Sequence, residues 1–212
     1  MVETLIVTQC CKRKNSTELF DVNVSILDTL NETKNILIEG RKKFKQYIYG
    51  TKEVTALSLY SGLLYSSLNK KLVYEEFMKD RIDFVIISAA YGIVHAFEKI
   101  REYDLEMSRS IAKQWLKVGL PRVLEEYIAK TDAERVYGFF TKNSMYTKVF
   151  TNVNLNNISD HVFKYVLVYS ENCKGGPNSL KELGYSITYL IKYGALPKKT
   201  RYCKRIVVKN ML

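Results

Sequence analysis

The chain has 212 residues, 47% of them hydrophobic and 26% charged, which suits one domain with a substantial core and excludes wholesale disorder. Its 33 basic and 22 acidic side chains leave a net +11, favouring a polyanionic partner, nucleic acid before anionic lipid, since there is no amphipathic anchor or lipidation motif. No stretch reaches membrane-spanning length, the amino terminus lacks a signal-peptide pattern, and four cysteines (Cys10, Cys11, Cys173, Cys203) without a Cys-x-x-Cys pair argue against a disulfide scaffold or a structural zinc site, so a cytoplasmic protein with no membrane partner is expected.

Thr4 to Cys10 reads as a first buried strand carrying Leu5, Ile6 and Val7, and it runs into Cys10-Cys11-Lys12-Arg13-Lys14, thiols crowded among cations. From Asp21 to Gly50 the pattern is mostly helical. Leu37, Ile38, Phe44, Tyr47 and Ile48 recur at helical spacing, while Arg41, Lys42 and Lys45 fall on the polar side. That basic side is a candidate nucleic-acid surface and equally an ordinary solvated face. Leu57, Tyr60, Leu64 and Leu68 predict a second helix over 56–72.

Phe84 to Ile87 is a continuous apolar run, the mark of a strand buried on both faces. It stops at Ser88-Ala89-Ala90-Tyr91-Gly92, where small residues admit a close approach and Gly92 can take a positive φ. His95, Glu98, Arg101, Glu102, Tyr103 and Asp104 follow as a polar, titratable stretch. Ser108 is a helix N-cap, and the helix to Lys130 is interrupted at Gly119 and Pro121, which predicts a kink or two helices. Arg135 to Phe140 is a third strand, followed by Thr141-Lys142-Asn143-Ser144 and a short helix. Lys164 to Tyr169 is a fourth strand, opening into Ser170–Asn178 before a last helix over 179–193. From 197 to 212 the chain is basic, with Lys198, Lys199 and Arg201 as candidate nucleic-acid contacts.

Buried strands separated by helices predict an α/β fold: a single domain over 1–196 with a mostly parallel four- to five-stranded sheet flanked by helices, then a basic carboxyl-terminal extension. Parallel strands end on one edge, so the loops from Cys10, Ser88, Thr141 and Ser170 should converge on one crevice. Lys12, Lys14 and Lys174 would hold phosphate there, Asn143 adds a polar side chain, and Tyr91 or Tyr103 offers a ring to a base. Cys10 reads as a thiolate nucleophile with His95 as the nearest base, or as an inert buried cysteine. Asp104 reads as an acid/base group or as a helix cap. Lys174-Gly-Gly-Pro-Asn-Ser179 has the physics of a phosphate cradle and also of a turn plus cap, and it is not a Walker A motif.

Leu5-Ile-Val-Thr-Gln-Cys-Cys-Lys-Arg-Lys14, Leu59-Tyr60-Ser-Gly62, Ile87-Ser-Ala-Ala-Tyr-Gly-Ile-Val94 and the pair Tyr103-Asp104 together resemble the uncharacterised domains related to the YaaA peroxide-stress proteins. In that family a strand ending in cysteine and lysine is followed by a Leu-Tyr helix, a Ser-Ala-x-Tyr-Gly-Leu strand end and a Tyr-Asp pair. The resemblance covers about the first half of the chain, and the family's usual cation between Ala89 and Tyr91 is replaced here by Ala90. It implies an α/β fold, an intracellular location and a link to DNA protection or nucleotide-type ligands, which favours DNA over RNA as the nucleic acid, without an established reaction. The site it implies comprises Cys10, Lys12, Lys14, Tyr60, Ser88, Tyr91, Gly92, Tyr103 and Asp104.

Three readings follow. The first is a nucleic-acid-directed protein whose crevice accepts a nucleotide or base. The second is a metal-dependent nuclease using Asp83, Glu171 and Lys174, although the motif is one residue too long and runs beyond the strand end. The third is a non-catalytic nucleic-acid-binding regulator using the Arg41 helix and the basic extension. If the chain is an enzyme, it acts on nucleic acid or nucleotides. The cofactor is left open, no residue is assigned as a metal ligand outside the nuclease reading, and a homo-oligomer is compatible with the sequence.

Overall fold

The computed structural model describes residues 2–158 and 161–212. Leu5, Ile6 and Val7 have no exposed surface, as a strand covered on both faces requires, and they lie within β1 (Thr4–Gln9). The chain continues through α1 (Ile26–Thr29), α2 (Lys34–Lys43), β2 (Ile48–Thr55), α3 (Ala56–Leu59), α4 (Leu63–Ser67) and α5 (Lys70–Phe77). Then come β3 (Ile82–Ser88), β4 (Gly92–His95), β5 (Lys99–Tyr103), α6 (Arg109–Val118) and α7 (Leu120–Thr131). The last part holds β6 (Arg135–Phe139), α8 (Met145–Thr151), β7 (Lys164–Glu171), α9 (Gly176–Tyr193) and β8 (Arg205–Asn210).

The four strands expected from their apolar runs are adjacent and parallel: Thr4 lies opposite Ile82 on one side and Arg135 on the other, and Arg135 lies opposite Lys164. Two antiparallel edge strands widen the sheet to six, in the order β4-β3-β1-β6-β7-β8. β4 returns directly from β3, and Gly92 at its start takes φ +73°. A Cβ there would also come within 2.8 Å of the Trp115 ring, so both backbone and packing require glycine. At the other edge β8 pairs with β7 from Glu171–Arg205 to Val166–Asn210. The basic extension expected after 197 therefore contributes a strand. β2 and β5 form a separate antiparallel pair.

α4, α5 and α9 pack together on one side of the sheet, and α2, α6, α7 and α8 on the other. The winding reverses at β1, which has β3 on one flank and β6 on the other. In such sheets the crevice lies beyond the carboxyl ends of the strands at the reversal.

Ser108 caps α6 by accepting the Ile111 N–H at 3.3 Å, and Gly119 separates α6 from α7, as the sequence predicts. The helix expected over 56–72 is instead three short helices. The loop after β1 hydrogen-bonds into the break: Asn15 N–H donates to the Leu59 carbonyl at 2.8 Å and Ser61 N–H to the Arg13 carbonyl at 3.0 Å. A continuous helix would have to give up those bonds. Between 21 and 50, helix is confined to α1, α2 and a single 3-10 turn, and β2 begins at Ile48.

Candidate ligand site at the carboxyl edge of the sheet

Cys10 follows β1 and is tied to β3 by its N–H bond to the Ile87 carbonyl at 2.9 Å. Across the reversal, the loop after β6 is held by Gln9, whose Oε1 accepts the Thr141 N–H at 3.0 Å. This seats the first turn of α8 so that the Tyr146 hydroxyl lies 3.1 Å from the Cys10 thiol. The Tyr65 hydroxyl donates to the Gln9 carbonyl at 2.7 Å and closes the side nearest α4. The result is a hollow of about 300 Å3 walled by Cys10, Lys12, Leu64, Glu106, Tyr146 and Leu180. Lys12 and Glu106 face each other across 3.5 Å with both side chains largely in solvent.

Beneath Cys10 lies a buried polar chain. The Tyr60 and Tyr103 hydroxyls are 2.9 Å apart, Ser88 Oγ donates to Tyr103 at 3.0 Å, and Tyr91 N–H donates to Ser88 Oγ at 3.2 Å. Burial, followed by the nearby Cys10, pushes both phenols well above their usual range. Burial does the same to Tyr146, so all three act as neutral hydrogen-bonding groups. Lys14 Nζ sits 4.1 Å over the Tyr103 ring. Burial lowers the Lys14 pKa, with Cys10, Cys11, Asp104 and Glu102 pulling the other way. Burial also pushes the Cys11 thiol to about 11; it is a packed thiol accepting the Gly62 N–H at 3.2 Å.

Of the residues expected at the site, Cys10 and Lys12 line the hollow, while Tyr60, Ser88, Tyr103 and Lys14 support it from below. Tyr103 is 1% exposed, so it cannot stack on a base. Tyr91 is part-buried, packs edge-on to Tyr103 at 5.6 Å and donates its hydroxyl to the Arg101 carbonyl at 3.2 Å. Gly92 turns the chain and does not wall this hollow. Asp104 and Asn143 are exposed and do not wall it. Lys174 is also exposed, beside a second hollow of about 570 Å3 on the same edge. There the cations Lys142 and Arg205 are both bound to Glu171.

Two expectations fail on geometry. His95 pairs with Val85, level with Val7, and its Nε2 meets Asp83 Oδ1 at 2.8 Å. Its Nδ1 accepts the Phe97 N–H at 3.1 Å, and the ring is 1% exposed. It is a packed histidine and no base for Cys10. Arg41 lies inside the fold: Nε and Nη2 donate to the Tyr91 and Ile93 carbonyls at 2.9 and 2.8 Å, and Nη1 pairs with Glu98 at 2.7 Å. A guanidinium spent on clamping the β3–β4 turn is withdrawn from any nucleic-acid surface. Lys42 and Lys45 remain exposed, the former paired with Glu39.

The nuclease constellation does not assemble either. Asp83 shares a row with Leu5, Val136 and Tyr165, at the opposite end of the sheet from Glu171, roughly 20 Å away along the strands. Asp83 is instead engaged by His95 and by the Tyr127 hydroxyl at 2.5 Å. Among the described residues no three His, Cys, Asp or Glu side chains group as metal ligands.

Sequence reasoning missed Tyr146, whose signal was its place two residues after the Ser144 helix cap at a strand end. It also missed the Cys173–Cys203 disulfide, a single cross-link rather than a scaffold; Cys10 and Cys11 are free. Among the described residues no helix is long and apolar enough to cross a membrane.

A family model described as peroxide stress protein YaaA matches residues 5–175. The UPF0246 protein FN1762 of Fusobacterium nucleatum is 23% identical over 178 residues, covering 77% of this chain and 71% of that protein.

Proposed function

The chain belongs to the YaaA peroxide stress protein family, and on that basis we propose that its Cys10 hollow receives a nucleotide or a base of a nucleic acid, in a role of DNA protection or processing inside the cell. The observation that carries this reading is the meeting of a ring, a solvent-exposed cation paired only with Glu106 at the rim, and an apolar wall in one small space: Tyr146, Lys12, and Leu64 with Leu180. A volume of about 300 Å3 is at the low end for small-molecule sites, where pockets run from roughly 300 to 1,000 Å3. It has room for one nucleotide and none for a duplex.

Lys12 is placed to meet a phosphate, and Glu106 to accept hydrogen bonds from base or sugar. The Tyr146 ring offers a face to a base, and Cys10 forms the floor. The net charge of +11 supports the choice of a polyanion over a neutral metabolite.

Titration calorimetry with nucleoside monophosphates and with short DNA tests this. Base-bearing ligands should bind, ribose phosphate should bind far more weakly, and Lys12→Ala and Tyr146→Ala should each weaken binding while the fold is retained. Equal heats from ribose phosphate and nucleotides, or no effect of either substitution, would remove the hollow from consideration.

A further inference from the structure

Tyr185, Tyr189 and Tyr193 fall at i, i+4 and i+8 on α9 and form a ladder, with ring centroids 6.1 and 4.5 Å apart. Cations decorate it: the Arg201 guanidinium lies 5.8 Å from the Tyr185 ring, and Lys192 Nζ lies 5.0 Å over Tyr193. The opposite wall is the end of α4 and the start of α5, fastened by the Asn69 N–H bond to Thr188 Oγ1 at 2.9 Å. Gly184 lets the two helices approach, since a Cβ there would come 2.1 Å from the Leu64 carbonyl oxygen. The groove between them measures about 430 Å3, and among the described residues no acidic side chain lines it.

Core packing does not account for the ladder, because Tyr193 is 57% exposed. An acidic protein would meet the cations and leave the rings unused. Duplex DNA would offer phosphates and no free base faces. Unpaired bases use both, since every base has a face to stack on an aromatic ring while its phosphate seeks a cation.

We propose that the groove between α4 and the second half of α9 binds single-stranded nucleic acid. Bases stack on Tyr189 and Tyr193, and Arg201 and Lys192 track the backbone. The proposal rests on the nucleic-acid reading above for the class of partner, and it adds a second contact surface. The groove is also placed to serve the Cys10 hollow. Leu64 and Leu180 wall the hollow and Ser67 and Tyr185 wall the groove, so the two occupy successive stretches of one helix pair. From Leu180 to Tyr185 the helix advances roughly 7.5 Å. The ladder lies beyond residues 5–175 matched by the family model.

The test is fluorescence anisotropy of the full chain at near-physiological salt with a short oligothymidylate, the same-length abasic oligomer and a duplex. The intact protein should bind oligothymidylate at least about tenfold more tightly than the abasic strand. Tyr189→Ala and Tyr193→Ala should each cost about tenfold, and Tyr189→Phe, which keeps the ring, should cost little. Arg201→Gln should make the salt dependence shallower by about one ion. Equal affinity for abasic and base-bearing strands, or wild-type affinity in both alanine variants, would overturn the groove. Failure confined to the groove variants' effect, with nucleotide binding still sensitive to Tyr146→Ala, would leave the hollow standing; the reverse pattern would leave the groove standing.

Discussion

The Cys10 thiol and the Tyr146 hydroxyl lie 3.1 Å apart although 136 residues separate them. This contact closes the sheet where its winding reverses, joining the end of β1 to the first turn of α8. Tyr146→Phe removes one hydrogen bond and keeps the ring, so the fold should lose no more than about 1.5 kcal/mol and nucleotide binding should largely survive. Tyr146→Ala removes the stacking face and should weaken base binding by about 1–3 kcal/mol. Urea unfolding and calorimetry on the two variants separate these effects.

Asp83 and His95 make the second test, which concerns stability alone. Burial pushes the Asp83 carboxyl up, but His95, the Tyr127 hydroxyl and the Phe84 N–H outweigh it and hold the group below its ordinary value. A depressed folded pKa means that the contribution is present above the unfolded value of about 3.9. It is lost as pH falls through the lower folded value. Asp83→Ala should cost about 3–5 kcal/mol near neutral pH, because it leaves His95 and Tyr127 without their acceptor. Nucleotide affinity of the folded fraction should be unchanged, since neither residue reaches the hollow.

Glu126 offers a cleaner pH dependence. Burial raises its carboxyl, yet the Thr33 hydroxyl and the N–H groups of Asn31, Thr33 and Glu32 bring it down to about 2. The bonds run at 2.7 to 3.0 Å and cap the start of α2 from α7. Stability from this cap should be full above the ordinary glutamate pKa of about 4.3 and fade as pH falls toward about 2. Glu126→Gln should cost about 1 kcal/mol at neutral pH, and the difference from wild type should vanish at the acid end of a urea series.

The parallel core was legible because its strands are buried on both faces, and a run such as Phe84–Ile87 can be read without knowing its neighbours. The edges were not. β8 is half exposed and basic, so Arg205–Asn210 carries no apolar alternation and reads as tail. β4 follows β3 so closely that Gly92–His95 reads as a loop, and His95 then passes for a site residue. The helix over 56–72 failed because its breaks come from backbone bonds to residues 13 and 15, partners that no local pattern reveals. That Cys10 and Lys12 lie at one edge with the other loops could be read because parallel strand ends must share an edge. Tyr146 was not, because which loop side chain turns inward depends on the Gln9–Thr141 bond.

The disulfide gives a prediction of a different kind. Cys173 and Cys203 are 30 residues apart, and a closed loop of that length contributes about 3–4 kcal/mol by restricting the unfolded chain. A thermal melt with and without a thiol reductant should show the loss, and Cys203→Ser should reproduce it and be insensitive to reductant. β8 should detach before the parallel core, which hydrogen exchange would show as early loss of protection at 205–210.

The central claim is that separate strand ends build one receptor for a nucleotide unit of a nucleic acid. Binding of DNA and RNA to the whole chain, followed by anisotropy across a salt series with Lys12→Ala and Tyr146→Ala beside the wild type, tests it most directly. Affinity should be measurable near physiological salt, weaken as salt rises, and fall in both variants with the fold intact. No detectable binding to either nucleic acid, or binding indifferent to salt and to both substitutions, would contradict it.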